Sequence, residues 1–262
     1  MNRRWLYPAV TALAAVAALS AYGAGGASDN NAAAAVATRS TPRRALPQGS
    51  EPVNLRPADF TTKIDNPYWP MSPGSKWVYS ETDSQGKNEQ VVVKVTNKTK
   101  KVANGIEARV VVDTATENGV PLEVTEDWYA QDKHGNIWYL GEHTTSYENG
   151  VVDTSGSFEA GVGGAQPGIA LPANPKPGMS YRQEYIKGEA EDRGAVITVG
   201  AEQVEVPFGF FNKSVLMTRD LSTIEPKVQE LKFYAPGVGP LLSMHTDGPG
   251  GRAVLVSYTP GK

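Results

Sequence analysis

The feature that most constrains this chain is a series of β-branched segments cut at short intervals by glycine turns. Gln90-Val91-Val92-Val93-Lys94-Val95 leads to Asn104-Gly105, and Ile106 to Thr116, with Val110, Val111 and Val112, leads to Asn118-Gly119. Val120 to Gln131 follows, then the turn Lys133-His134-Gly135-Asn136, then Ile137 to Ser146, closed by Asn149-Gly150. Asn-Gly is a strong hairpin signal, because both residues tolerate the positive φ that a type I′ turn needs. Strand and turn alternating about every dozen residues predicts an antiparallel meander. More strands are predicted at Tyr181 to Tyr185, Ala195 to Val199, Val204 to Val206, Ser214 to Asp220, Val228 to Tyr234, Leu241 to His245 and Ala253 to Tyr258. A sheet of roughly ten or more strands must curl or close to manage its edges. The expected fold is therefore all-β: an antiparallel meander forming a strongly curved sheet, half-barrel or open barrel. Between Gly156 and Gly178 the density of Gly and Pro breaks the pattern. Pro lacks a ladder donor and Gly adds backbone entropy, so a long loop is predicted there, folded down by Phe158, Ile169 and Leu171.

The N-terminus reads as an export signal. Arg3 and Arg4 precede an Ala-, Val- and Leu-rich run from Ala9 to Ala21, and Leu19-Ser20-Ala21-Tyr22-Gly23 follows the pattern of a lipoprotein signal with Tyr22 at the cysteine's place. A run of about 13 residues suits a signal sequence and is short for a bilayer span. A tyrosine cannot form the thioether of a lipid anchor, so cleavage by the ordinary peptidase near Ala24 is expected. Membrane association through a lipid would need a cysteine in place of Tyr22. From Ser28 to about Asn54 the chain is rich in Ala, Asn, Ser, Thr and Pro without apolar periodicity, which predicts a disordered tether. The domain reading is a signal peptide at 1–23, a flexible linker at 24–55 and one β-rich domain at 56–262. The expected location is extracellular or in the cell envelope.

Composition narrows the chemistry. The chain has no cysteine, so disulfide and thiolate chemistry are excluded. The net charge of −3 and the lack of a basic stripe argue against nucleic acid. Lys98-Thr99-Lys100-Lys101 reads as a solvated turn. His134, His143 and His245 show no zinc spacing. Ser84-Gln85-Gly86-Lys87 matches Ser-x-x-Lys by letter but falls in a hairpin turn rather than at a helix start. Gly161-Val162-Gly163-Gly164 lacks the setting of a phosphate cradle. No metal, cofactor or catalytic residue is predicted, and the chain is expected to be a monomer.

Several stretches carry a family resemblance. They are Ile64-Asp65-Asn66-Pro67-Tyr68-Trp69-Pro70, Trp77-Val78-Tyr79, Glu126-Asp127-Trp128-Tyr129-Ala130-Gln131-Asp132, Gly135-Asn136-Ile137-Trp138-Tyr139-Leu140-Gly141-Glu142, Gly188-Glu189-Ala190-Glu191-Asp192 and Tyr234-Ala235-Pro236-Gly237-Val238-Gly239. Together they resemble a family of exported bacterial β-rich proteins of unassigned function, over about residues 60–258. That resemblance brings no catalytic residue with it. The stretch Lys232 to Gly239 also resembles the last hairpin of periplasmic half-barrels that carry lipids or lipoproteins, a likeness at the level of fold.

Two groups of residues are candidates for a site. Trp128, Tyr129, Trp138 and Tyr139 lie on paired strands, so each Trp-Tyr pair should send one ring inward and one outward. Such pairs ordinarily serve to fasten strands together. They also suit an aromatic wall for an amphipathic ligand, joined by Tyr68, Trp69 and Trp77. The acidic and polar candidates are Glu126, Glu142, Glu184, Glu189, Glu191 and Asp192. Arg182 is a candidate partner, should Glu126 and Glu142 meet across the hairpin. Their spacing lacks a calcium loop. The leading expectation is a non-enzymatic exported protein binding a small amphipathic or lipid-like molecule, or an envelope component. A carboxylate-dependent hydrolase of envelope glycans is the alternative, if two of Glu126, Glu142, Glu184 and Glu191 share a cleft. An envelope protein-interaction module is the third.

Overall fold

The computed structural model describes residues 45–82, 86–147, 150–246 and 251–262. The signal peptide, the lipoprotein-like box and most of the predicted linker lie outside the described residues. After a short 3-10 turn, Pro57–Asp59, the described residues form sixteen strands. In chain order they are β1 (Phe60–Thr61), β2 (Lys76–Thr82), β3 (Asn88–Lys101), β4 (Glu107–Glu117), β5 (Val120–Asp132), β6 (Ile137–Ser146), β7 (Phe158–Glu159) and β8 (Gln166–Leu171). Then come β9 (Ser180–Ile186), β10 (Ala190–Val199), β11 (Val204–Val206), β12 (Gly209–Phe211), β13 (Leu216–Ser222), β14 (Gln229–Ala235), β15 (Gly239–His245) and β16 (Arg252–Thr259).

The pairing order is β5-β4-β3-β2-β16-β15-β14-β13-β10-β9-β8-β6, and β6 pairs back onto β5. The result is a closed antiparallel barrel of twelve strands, with β1 and β7 as added edges and β11–β12 as a separate hairpin. The expectation of a half-barrel or open barrel is corrected here. The long β5 pairs with β4 on one side and β6 on the other, and the short β8 links β6 to β9. Closure removes the edges that an open sheet would expose. The predicted loop 156–178 is corrected too, because β7 and β8 lie within it. Gly168 allows this: a Cβ there would run into the backbone of Gln183 on β9, so only glycine lets the two strands approach.

Alternation sorts the side chains. In β2, Trp77 and Tyr79 are buried between more exposed neighbours, and in β3 so are Val91, Val93 and Val95. Register carries the inward face around the wall, with Trp77 opposite Val93, Tyr79 opposite Val91 and Val93 opposite Asp113. One rim of the barrel carries the turns at 103–105, 133–136 and 236–238, and the segment 64–71 packs across it. Asn66 fixes that segment by donating to the carbonyls of Gly135 and Pro172, at 3.1 and 3.2 Å. The Gln131 side chain accepts from the backbone of Asp65 and Asn66, and the Gly237 amide donates to Pro67 O at 2.8 Å. Four of the stretches that carried the family resemblance therefore meet at one rim, where they form the floor of the barrel. Residues from 45 onward lie along the outer wall, where the Arg182 amide donates to Pro47 O and Gln48 Nε2 to Ser180 O, each at 2.6 Å.

Candidate functional site

The barrel interior divides into two halves. The floor is aromatic and aliphatic. Trp69 sits with its ring centroid 5.5 Å from Tyr129 and 6.3 Å from Tyr234, and Tyr129 stacks on Tyr139 at 5.2 Å. Trp77 Nε1 donates to Val238 O at 2.7 Å and Tyr79 Oη to Pro240 O at 3.1 Å, which ties the rings to the turn after β14 and to the start of β15. Ile64, Met71, Leu216 and Leu241 complete the floor. Tyr68 is half-buried and packs against its edge.

Above the floor the inward positions turn acidic. Asp113 on β4 faces Thr125 on β5, Asp127 on β5 pairs with Glu142 on β6, and Glu184 on β9 pairs with Asp192 on β10. Ser222 pairs with Asp192 and Asp220 with Glu230. Asp113, Glu142, Glu184 and Asp192 are 5%, 3%, 1% and 4% exposed, respectively. Asp113 Oδ2, Glu142 Oε2 and Glu184 Oε2 are buried and accept no hydrogen bond. Burial raises the pKa of Asp113 well above the usual carboxylate range, and the charges of Asp127, Glu123 and Glu81 add to it. Burial and Asp127 do the same to Glu142, against the pull of Tyr139 and Thr144. Burial, Asp192 and Glu142 raise Glu184. Asp192 is pushed up to about 7, chiefly by burial.

Among the described residues, Lys232 and Arg182 are the buried cations. Lys232 faces inward and is already engaged, with Nζ 2.7 Å from Asp220 and 3.1 Å from Glu230. Burial works against its charge, but those two carboxylates outweigh it and its pKa rises. Arg182 does not reach Glu142, which corrects the sequence expectation. A bulge on β9 sets Glu184 opposite Asp192 and Arg182 opposite Arg193, so Gln183 is unmatched and the two side chains leave on opposite faces. Arg182 points outward, donating to Pro167 O, Glu51 O and Gly49 O.

The Trp-Tyr hairpin splits as its alternation predicts. Tyr129 and Tyr139 point in. Trp128 and Trp138 point out, Trp128 beneath Lys100 Nζ at 4.2 Å and Trp138 donating to Asp132 Oδ2 at 2.9 Å. Gly141 lies against Trp128 and β7: its φ is 137°, and a Cβ would run into Phe158 O and lie 2.9 Å from the Trp128 ring. Glu126 does not meet Glu142 across this hairpin. It pairs with His143 in register, and its carboxylate lies at the surface 3.9 Å from Lys98. Glu189 is exposed, and Glu191 accepts from Thr223 Oγ1 at the surface at 3.1 Å.

The structure thus gathers Trp69, Trp77, Tyr129 and Tyr139 at the floor and Glu142, Glu184 and Asp192 above it. It leaves Trp128, Trp138, Glu126, Arg182, Glu189 and Glu191 outside. Sequence reasoning missed Asp113, Asp220, Glu230 and Lys232 as site residues. For Asp113 a signal existed: it stands in step with Val111 and Ala115, in a valine-rich strand whose inward face should be apolar. Among the described residues, no group of three or more His, Asp or Glu is arranged to hold a metal ion.

On the outer wall a groove of about 760 Å³ is lined by Leu46, Val53, Leu55, Phe60, Lys133 and Trp138, among others. In it Trp138 Nε1 bonds Asp132, and Lys133 Nζ lies 3.1 Å from Asp59.

No family model matches the chain, and no curated protein matches it. Among solved structures it is similar to a Bacteroides fragilis protein assigned as exported, with a YmcC-like fold, at 15% identity and a TM-score of 0.42, over 74% of this chain and 99% of the other. It is also similar to a Parabacteroides distasonis protein assigned as a lipoprotein, at 14% identity and a TM-score of 0.40, over 74% and 100%. A beta-barrel-like domain of unknown function from Brucella abortus aligns at 12% identity and a TM-score of 0.32, over 71% and 97%. At these identities and scores none of the three transfers a function to this chain.

Proposed function

We propose that this protein is an exported binding protein of the cell envelope that takes a small amphipathic molecule into its barrel. The observation that carries the reading is the division of the interior into a ring-lined floor and an acidic half with unbonded, buried carboxylate oxygens. A buried polar atom without a partner costs about 1–3 kcal/mol, so a protein does not keep several without a use. Barrel diameter grows with strand number, and eight strands already suffice to hold one small ligand. A barrel of twelve strands is wider than one of eight. The outer groove makes no comparable demand, since none of its lining residues has a buried polar atom without a partner. Export rests on the N-terminal signal pattern.

The hydrolase reading keeps one supporting fact: Glu142 and Glu184 share the interior, and Glu142 is among the causes that hold Glu184 toward the neutral acid. A glycan polymer, however, needs an open cleft, and these carboxylates lie behind a closed wall.

Native mass spectrometry of the mature protein purified from its own host's envelope tests the proposal. A bound small molecule is expected. It should be lost in Ala115→Trp, which places an indole on the inward face beside Val91 and Glu123. A protein that carries nothing, and that binds no amphiphile offered to it, would overturn the reading.

A further inference from the structure

We infer that the acidic half of the interior receives the head of an organic amine, whose N–H groups donate to Asp113, Glu142 and Glu184 while its apolar part lies toward the tyrosine floor. This rests on the interior being the ligand site and adds the ligand's chemistry. The three carboxylates come from β4, β6 and β9, which are not sequence neighbours, so barrel closure alone brings them to one interior. Each is at least nine-tenths buried, and each has an oxygen that accepts no hydrogen bond. Alone, burial holds these acids toward the neutral form; an ammonium beside them favours the ionised form, whose oxygens only accept, and supplies the N–H donors they then need. An anionic head brings no N–H donor and adds to the negative charge that already opposes ionisation there. The inward-facing buried cation, Lys232, is already committed to Asp220 and Glu230. A bare metal ion fits poorly, because no compact group of three ligands exists among the described residues. Acceptors spread over three strands match several N–H donors on a carbon frame. Like charges enclosed together also repel, and Glu142 is among the causes that keep Glu184 from ionising. A cation among them relieves that repulsion.

The test is isothermal titration of the mature protein at pH 8 with four decyl-chain probes, each below its micellar concentration: decylammonium, decyltrimethylammonium, decyl glucoside and decyl sulfate. Decylammonium should bind most tightly, at least tenfold over decyl glucoside. Decyltrimethylammonium should be weaker than decylammonium, because it has the charge without the N–H donors. Decyl sulfate should not bind. Asp113→Asn and Glu142→Gln keep shape and remove charge. Each should weaken decylammonium at least tenfold while leaving the melting temperature equal or higher. Equal binding of decylammonium and decyl glucoside overturns the amine and leaves the interior site standing. Failure of all four probes overturns both. Unchanged decylammonium binding in the two variants places the amine elsewhere and overturns the assignment. The probe ranking on the unaltered protein decides even if a variant fails to fold.

Discussion

The two halves of one barrel interior obey different rules. At the floor, Trp69, Tyr129, Tyr139 and Tyr234 are buried against one another and their contacts follow from shape. Above it, Asp113, Glu142, Glu184 and Asp192 are buried just as deeply, and burial works against their charge. The same strands build both, since β5 contributes Tyr129 to one half and Asp127 to the other. The lesson is that burial alone does not mark a residue as stabilising. The floor holds the barrel together, and the acidic half draws on stability that the floor supplies.

That contrast can be broken or sharpened by substitution. Trp69→Ala should have the largest effect, about 3–5 kcal/mol of lost stability by denaturant melts, because it opens a cavity among packed rings. A loss under 1 kcal/mol would mean the floor is not the keystone. Lys232→Met should approach that size, roughly 3 kcal/mol, since it leaves Asp220 and Glu230 without their cation. Asp113→Asn should go the other way. Removing a buried charge that nothing neutralises should raise stability by about 1–2 kcal/mol at pH 8, with no such rise at pH 4. If it destabilises at pH 8, the carboxylate has a structural partner in the folded state. Glu126→Gln, on the exposed face of the same hairpin, should stay within about 0.5 kcal/mol.

The acidic half also predicts an unusual pH response. Asp192 has a folded pKa raised from 3.8 to about 7. Stability from such a group is fully present below its unfolded pKa and is lost as pH rises through the folded one. Glu184, Asp113 and Glu142 are raised too and act in the same direction. Lys232, raised above 10.5, keeps its contribution across this range. Asp59 and Asp65 have lowered values and oppose the trend, but they lie at the surface, where such effects are small. The ligand-free protein should therefore melt several degrees higher at pH 5 than at pH 8, as about 1 kcal/mol moves a domain of this size by roughly 2–4 °C. A melting temperature that rises with pH over that interval would show that the buried carboxylates ionise without penalty.

Much of the fold was legible along the chain. The Asn-Gly turns at 104–105 and 118–119 lie where the hairpins close, and the Trp-Tyr alternation predicted which rings turn inward. The site was legible only in part. Glu184 and Asp192 stood out as acids, but Arg182 was offered as a partner for Glu126 and Glu142, and simple alternation would put residues 182 and 184 on one face. The unmatched Gln183 reverses that. Asp113 was passed over because a single acid in a valine run has no local partner to announce it.

From the residues alone came the strands, their turns and the all-β class, since alternation and glycine chemistry act over a few neighbours at a time. Closure of β5 onto both β4 and β6, and the use of Gly168 to bring β8 against β9, were decided by tertiary structure. So was the gathering of carboxylates from β4, β6, β9 and β10 around one interior. Such pairings join residues far apart in the chain, and they are selected by edge removal, bulge position and shared burial rather than by any local preference.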